Sequence, residues 1–239
     1  MENFREKLAG EIKNTPKQER ADVLEQAKQS PEYWQARTEK IHEQQDEEEI
    51  NDGLGVFIKK KTLYHGSATE DIQAFNEAEE TTVGHGVYLT SEAKDAIGYA
   101  RRRARHKPQQ VGEVKPVIYE LTVEGIKLLN LRKDENVKKI VQGFKVVLEE
   151  ELKKDNIPWF RRTTLQRAID VINQEKVDSG KIREVAFSHG KLFTDYVTSL
   201  GYDGLITYEG GEGDDVKEHD SYVIFDPSKA KIVQEHQII

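Results

Sequence analysis

Three consecutive residues at the end of a short apolar run, His65, Gly66 and Ser67, are of types that could hold a small ligand. Glycine has no Cβ, so a ligand can approach its backbone closely, and histidine offers a polar tip. Tyr88 lies in a strand-like run, and Tyr99 follows eleven residues later in a helical segment. These tyrosines could form the walls of a slot for a flat ring, or they could be two packed core residues.

A cluster of cations follows the second tyrosine. Residues 101–107 include five Lys or Arg in seven positions. Cations near the end of a helix suit its dipole and are often solvated. Alternatively, they could contact phosphate groups, an acidic surface or a nucleic acid. Arg102 lies three residues after Tyr99, on the same side of the predicted helix, and residues 160–162 form a weaker second basic candidate.

The elements that must position these residues include both strands and helices. Residues 117–123 alternate with apolar side chains on one face and predict a strand, and the runs DGLITYE and SYVIFD predict two more. Longer helical patterns lie at 136–155 and 163–180, and another helix is predicted to end at Gly201. Strands mixed with helices, without strict β–α–β alternation, predict an α+β fold.

The first 50 residues predict helices with few apolar positions. Thr15 and Ser30 each precede a proline, which is typical of a helix start. Residues 1–55 hold 8 Lys or Arg against 14 Asp or Glu, whereas the remaining 184 residues hold 28 against 30. The acidity therefore belongs mainly to a helical segment that is either a solvated appendage or an arm that docks a partner.

Composition excludes several classes of protein. The 239 residues contain no Cys, so disulfides and thiolate chemistry are excluded, and the 7 His lack metal-ligand spacing. No apolar run approaches a membrane span, and the N-terminus has no apolar core of a signal peptide. We therefore expect a cytoplasmic protein, or one delivered to a host cell without a classical signal peptide, and no membrane partner.

Four motifs occur together in order: His-Gly-Ser after a strand, Gly-x-Gly-Val-Tyr-Leu-Thr, Ala-x-x-Tyr-Ala and a terminal SYVIFDPSKAKIV. This arrangement resembles the ADP-ribosyltransferases of the diphtheria-toxin and poly(ADP-ribose) polymerase type, a branch named for a His, Tyr, Glu trio. The resemblance covers roughly Thr62 to Val233, and its closing part is similar to many bacterial and phage members. It implies a split β-sandwich core in residues 56–239, after a helical segment at 1–55. It also implies NAD as the substrate, and the His spacing together with the lack of Cys predicts no metal.

The resemblance assigns roles residue by residue. It implies that His65 hydrogen-bonds the ribose on the adenine side of NAD. The backbone of Gly66 would hold the nicotinamide amide, and Ser67 completes the pattern. Tyr88 matches the motif tyrosine, and Tyr99 matches the second ring that stacks on nicotinamide. The serine that often lies three residues before the second tyrosine is alanine here.

The third member of the trio departs from the family. The family glutamate, which would stabilise an oxocarbenium-like transition state, corresponds to Ser221. Asp220 is adjacent, but in a regular strand it points to the opposite face unless a bulge re-aims it. Glu218 or Glu212 could also supply the charge.

The resemblance therefore leads to two functional hypotheses. The first is a mono-ADP-ribosyltransferase that moves ADP-ribose from NAD onto a macromolecule, more often protein than nucleic acid, with Arg102 near the NAD pyrophosphate. The alternative is a non-catalytic module of the same fold that binds NAD, ADP-ribose or a protein. In either case residues 1–50 could dock a helical partner.

Overall fold

The computed structural model describes most of the chain. The described residues are 4–28, 30–45, 49–51, 53–75, 83–106, 115–174, 177–179, 182–186, 189–209 and 219–238.

Within these ranges the chain forms eight α-helices and seven strands, a mixture of α and β structure around a sheet. The helices are α1 (Phe4–Asn14), α2 (Arg20–Ala27), α3 (Pro31–Gln45), α4 (Ala93–His106), α5 (Asp134–Leu152), α6 (Trp159–Asn173), α7 (Ile182–Ala186) and α8 (Gly190–Ser199). The strands are β1 (Glu49–Asn51), β2 (Gly55–Ser67), β3 (Val87–Thr90), β4 (Val117–Asn130), β5 (Gly204–Glu209), β6 (His219–Ile224) and β7 (Ala230–Gln237).

The strand pairings form a ring. The sheet runs in the order β1-β2-β3-β6-β5-β4-β7, and an additional pairing joins β2 to β4. This last pairing closes a cycle through β2, β3, β6, β5 and β4, with β1 and β7 on its margins. The β4–β5 pair is parallel, and the other pairs are antiparallel.

The long antiparallel partners β2 and β4 bend partway along their length. In β4 the residues facing one core cluster are odd-numbered from Val117 to Val123 and even-numbered at Ile126 and Leu128. Gly125, between the two sets, has a φ of 65°, which is costly for other residues. With this bend, both parts of β4 contribute apolar side chains to the same buried cluster. The alternation predicted for residues 117–123 is confirmed.

The inner face of the ring carries one buried cluster, with members from all five strands. These include Leu63, Leu89, Leu121, Ile206 and Tyr222. Helices α5 to α8 cover the outer face around Leu129, Leu205 and Val223, and α3 and α4 cover it around Tyr64 and Ile118. The helices predicted in the second half of the chain are confirmed as α5, α6 and α8.

The third helix packs directly on the domain. Trp34 is 1% exposed, and its ring lies edge-on to His236 with centroids 4.7 Å apart and to Tyr64 at 6.5 Å. Its indole N–H donates to the carbonyl of Lys28 at 2.7 Å. Helix α3 is therefore not wholly solvated. The domain covers its Trp34 side chain, which is not left exposed for a partner.

An ion pair reinforces this docking. Arg37 donates from Nε and Nη2 to Oε2 of Glu120 at 3.0 and 2.6 Å. Burial alone would raise the pKa of Glu120, but the contacts with His236 and Arg37 outweigh it and lower that pKa. His236 Nε2 lies 3.8 Å from the same oxygen, which is an electrostatic contact rather than a hydrogen bond.

The two predicted helix starts had different outcomes. Ser30 accepts a hydrogen bond from the backbone N–H of Tyr33 at 3.1 Å, and α3 begins at Pro31 as predicted. The start after Thr15 was wrong, because α2 begins at Arg20 after a turn that Glu19 closes onto Pro16. Among the described helices, none combines the length and apolarity that a membrane crossing requires.

Candidate active site

His65 lies where two neighbouring strands part. Among the described residues, β2 and β3 pair only through Tyr64 and Thr90. One residue further along β2, the His65 ring reaches across and its Nδ1 lies 2.8 Å from the carbonyl oxygen of Tyr88. Its other side packs edge-on against Phe75, with centroids 4.7 Å apart. The imidazole thus fills the opening between the strands.

The state of this histidine follows from its partners. Loss of solvation lowers the pKa of His65, although its contact with the Tyr88 carbonyl opposes the shift. The ring is therefore neutral near pH 7. Because a carbonyl oxygen can only accept, Nδ1 carries the proton and Nε2 remains an acceptor. A neutral His65 can accept a hydrogen bond from a ligand hydroxyl.

Gly66 is required by the packing of α4. A Cβ on this residue would lie 1.9 Å from the carbonyl oxygen of Ala96 and 2.8 Å from the backbone nitrogen of Ala100. The helix backbone therefore occupies the side of Gly66 where a side chain would be. The space that the sequence suggested for a ligand is on this side filled by α4, and only the strand edge of Gly66 could meet a ligand.

This contact predicts that Gly66→Ala is destabilising. The added methyl group meets backbone rather than a movable side chain, so we expect a loss of about 1–3 kcal/mol in the free energy of unfolding. Gly10→Ala is the matched control, because nothing lies within 4 Å of its added Cβ in α1. That change should be neutral or stabilising by up to about 1 kcal/mol. Urea unfolding followed by circular dichroism would compare them, and equal midpoints would contradict the close packing of α4.

Ser67 and Tyr88 make local hydrogen bonds. Ser67 Oγ accepts from the backbone N–H of Thr69 at 3.0 Å, where β2 ends. The hydroxyl of Tyr88 accepts from the N–H of Val83 at 2.7 Å and donates to the carbonyl of Gly84 at 3.3 Å. The half-buried Tyr88 ring is thereby held against the turn that precedes its own strand.

Tyr99 lies in a separate polar cluster. Its hydroxyl donates to Oε2 of Glu209 at 3.4 Å, and its ring lies edge-on to His219 with centroids 5.5 Å apart. The guanidinium of Arg102 lies 5.1 Å from the same ring centroid. The structure thus brings together the end of β5, the start of β6 and the middle of α4.

A buried carboxylate lies beside this cluster. Asp95 is one helical turn before Tyr99 on α4, so the two share a helix face. Its Oδ2 is buried without a hydrogen-bond partner. Loss of solvation raises the pKa of Asp95, and the nearby His219 opposes the shift. Asp95 therefore adds to the polar character of this face.

Ser221 and Asp220 point to opposite faces of the sheet, as strand parity predicts. Both partner strands keep a regular register along β6, without a bulge. Ser221 is 2% exposed and lies between Thr90 and Thr207 on the outer face. Asp220 forms an ion pair with Arg132. The carboxylate next to Ser221 is thus held away from it.

Some predicted site residues therefore lie together and others do not. Tyr88 and Ser221 share the outer face of the sheet, whereas His65 and Asp220 have the parity of the inner face. Residues 212 and 218 lie outside the described part of the chain. No group of three potential metal ligands occurs among the residues that the structure describes.

Sequence interpretation overlooked three polar residues near Tyr99. Asp95 has a detectable signal, since it precedes Tyr99 by four residues on the predicted helix. His219 precedes Ser221 by two residues and shares its strand parity. Glu209 ends a predicted strand with the parity of Leu205. The meeting of these residues depends on β5 and β6 pairing beside α4, which no local pattern reveals.

The comparison with protein families decides the identity of the domain. The family of ADP-ribosyltransferases in polyvalent proteins matches residues 59–238. The chain belongs to this family. The matched range extends from β2 to β7 and contains all the site residues discussed above, so the resemblance to ADP-ribosyltransferases is confirmed.

Two further comparisons add little to the family assignment. A search of curated proteins gives no match. Among solved structures, the M. tuberculosis MbcT–MbcA toxin–antitoxin complex contains a chain similar to this one, with 11% sequence identity and a TM-score of 0.39. The similarity covers 84% of this chain and 92% of that chain.

Proposed function

We propose that the chain is an NAD-dependent mono-ADP-ribosyltransferase of the His-Tyr-Glu branch that modifies a macromolecule, with protein favoured over nucleic acid. The observation that carries the proposal is the family match over residues 59–238. In this proposal the bent ring of strands corresponds to the split β-sandwich of the branch. The transferase domain then spans residues 56–239, and the segment 1–55 precedes it with helices α1 to α3, although its strand β1 already pairs with β2.

The proposed NAD site begins at the His65 ring, which lies between β2 and β3. The neutral His65 would accept a hydrogen bond at Nε2 from a hydroxyl of the adenine-side ribose, which its fixed tautomer supports. The strand edge of Gly66 would hold the carboxamide of nicotinamide. Ser67 follows Gly66 as the last residue of β2 and would hold the backbone of Gly66 in position.

The aromatic and cationic residues complete the proposed site. Tyr88 and Tyr99 would form the two sides of the nicotinamide slot. Arg102 lies 5.1 Å from the Tyr99 ring centroid, and in this proposal its charge would meet the NAD pyrophosphate. Arginine suits this role because its planar guanidinium can donate two hydrogen bonds to phosphate oxygens.

The proposed reaction replaces the bond from C1′ of the nicotinamide ribose to nicotinamide with a bond from C1′ to the acceptor. The bond between C1′ and the pyridinium nitrogen breaks, and its electron pair leaves with neutral nicotinamide. C1′ then forms a bond with a nucleophilic atom of the acceptor, which loses a proton to solvent. Positive charge develops on the ribose in between, so groups that stabilise this charge accelerate the reaction.

One observation favours a second candidate function. Ser221 stands where the branch has its glutamate, and it is buried between two threonines. A site without a carboxylate would suit a module that binds NAD or ADP-ribose without catalysis.

A transfer assay distinguishes these functions. NAD labelled in its adenosine part is mixed with the purified chain and a bacterial lysate, and protein-bound label is measured. We expect transfer by the wild-type chain and a loss of about 100-fold in His65→Ala, which removes one positioned group. Glu150→Gln, at an exposed position of α5, is the control that should transfer normally.

Each outcome of this assay supports a different conclusion about the function. Transfer at the wild-type level in a folded His65→Ala variant would contradict the proposed site. Binding of NAD with neither transfer nor nicotinamide release would instead support the non-catalytic module. Label found in nucleic acid rather than protein would change the acceptor class and leave the reaction as proposed.

A further inference from the structure

The outer face around Ser221 lacks a charge at the position where the reaction would need one. Ser221 is flanked by Thr90 and Thr207, and all three are buried. None of the three side chains is ionisable. Glycosidic cleavage through an oxocarbenium-like transition state generally uses a carboxylate close to the ribose. If the chain is a transferase, a residue other than Ser221 has to supply it.

Glu209 is placed on this face by the pairing of β5 with β6. Thr207 is the direct partner of Ser221, and Glu209 is the direct partner of His219. Residues two apart on a strand point the same way, so Glu209 projects from the face that carries Ser221. Diagonal neighbours on adjacent strands lie about 7–8 Å apart, within reach of a long side chain.

The contacts of Glu209 direct its carboxylate toward the proposed nicotinamide slot. Glu209 is 8% exposed, and its Oε2 accepts from the hydroxyl of Tyr99 at 3.4 Å. The Tyr99 ring also contacts His219 and Arg102. If nicotinamide stacks on Tyr99, a carboxylate bonded to the hydroxyl of that ring would be in reach of the attached ribose. Its burial strengthens any interaction with a positive charge.

Other described carboxylates near this face are less suitable. Asp220 points to the opposite face and is held by Arg132. Asp95 lies on α4 rather than on a strand beside Ser221, and its buried Oδ2 has no hydrogen-bond partner. Glu209 therefore combines the face of Ser221 with a direct hydrogen bond to Tyr99.

We propose that Glu209, rather than residue 221, supplies the carboxylate that stabilises the positive charge on the nicotinamide ribose. This inference rests on the proposed function. The carboxylate accepts a hydrogen bond from a ribose hydroxyl as the bond from C1′ to nicotinamide breaks, and it forms no covalent bond itself. The serine at position 221 is then compatible with activity, because the charge comes from the neighbouring strand.

The test compares nicotinamide release from NAD by the full chain and three variants, with the bacterial lysate of the transfer assay as the source of acceptor and lysate alone as the blank. Glu209→Gln keeps the size of the side chain and removes its charge, whereas Glu209→Asp keeps the charge on a shorter stem. We expect Glu209→Gln to release nicotinamide about 100-fold more slowly, and Glu209→Asp to be at least about tenfold faster than Glu209→Gln. The control Glu150→Gln should match wild type. Circular dichroism confirms folding, and calorimetry gives the Kd for NAD.

A slow Glu209→Gln variant whose Kd stays within about 3-fold of wild type supports the inference, because only the transition state has lost a contact. Release by Glu209→Gln within about 3-fold of wild type would overturn the inference and leave the proposed function intact. Equal slowing of the Asp and Gln variants would also overturn it, since charge would not be what matters. A wild-type chain that releases no nicotinamide would overturn the proposed function and the inference together.

Discussion

Replacing Trp34 with alanine is expected to lower the free energy of unfolding by about 3–5 kcal/mol, the usual cost of removing a large buried aromatic side chain. Trp34 is 1% exposed and contacts both Tyr64 on β2 and His236 on β7. Its removal leaves a cavity between α3 and the sheet and also deletes the hydrogen bond to the Lys28 carbonyl.

The second tryptophan provides the control for this prediction. Trp159 is 79% exposed at the start of α6, so Trp159→Ala should change the free energy of unfolding by less than about 0.5 kcal/mol. Urea unfolding followed by far-ultraviolet circular dichroism measures both variants without relying on tryptophan fluorescence. Equal midpoints for the two would mean that α3 does not pack on the domain as described.

Arg37→Ala is expected to cost about 3 kcal/mol, the lower end of the range for leaving one partner of a buried ion pair behind. Glu120 is buried on β4, and the Arg37 side chain that reaches it remains partly exposed, which places the effect at the lower end. The matched control is Lys191→Ala, which breaks an exposed pair with Asp195 on α8. That change should cost less than about 0.5 kcal/mol.

The same ion pair predicts how stability varies with pH. The folded-state pKa of Glu120 lies below its usual value of 4.5. Its contribution to stability is therefore complete above that pH and is lost as the pH falls through the lower, folded-state pKa. Arg37→Ala should lose less stability than wild type over this acidic interval. Parallel loss in wild type and variant would contradict the role of Arg37 in holding the carboxylate charged.

Local sequence patterns predicted the helices and strands better than they predicted which of these elements pack together. The alternation of residues 117–123 identified β4, and the runs that became β5 and β6 were also predicted correctly. These signals are local because a strand with one buried face alternates residue by residue. The docking of Trp34 on His236 joins residues about 200 positions apart, and the sparse apolar pattern of α3 gave no sign of it.

The candidate site shows the same contrast between local features, which the sequence predicts, and contacts between distant elements, which it does not. The parity argument correctly placed Ser221 and Asp220 on opposite faces, because it needs only a regular strand. The role of Gly66 was interpreted as room for a ligand, whereas the structure fills that side with the backbone of α4. The contact of Glu209 with Tyr99 could not be predicted, since it requires β5 and α4 to lie side by side.

Titration calorimetry with NAD on the wild-type chain and on Tyr99→Ala tests the central claim, that this domain holds NAD beside Tyr99. We predict that wild type binds NAD and that Tyr99→Ala binds it about tenfold or more weakly, since stacking of a ring on an aromatic side chain contributes on the order of 1–3 kcal/mol. Equal affinity in the two folded proteins, or no binding by wild type, would contradict the account.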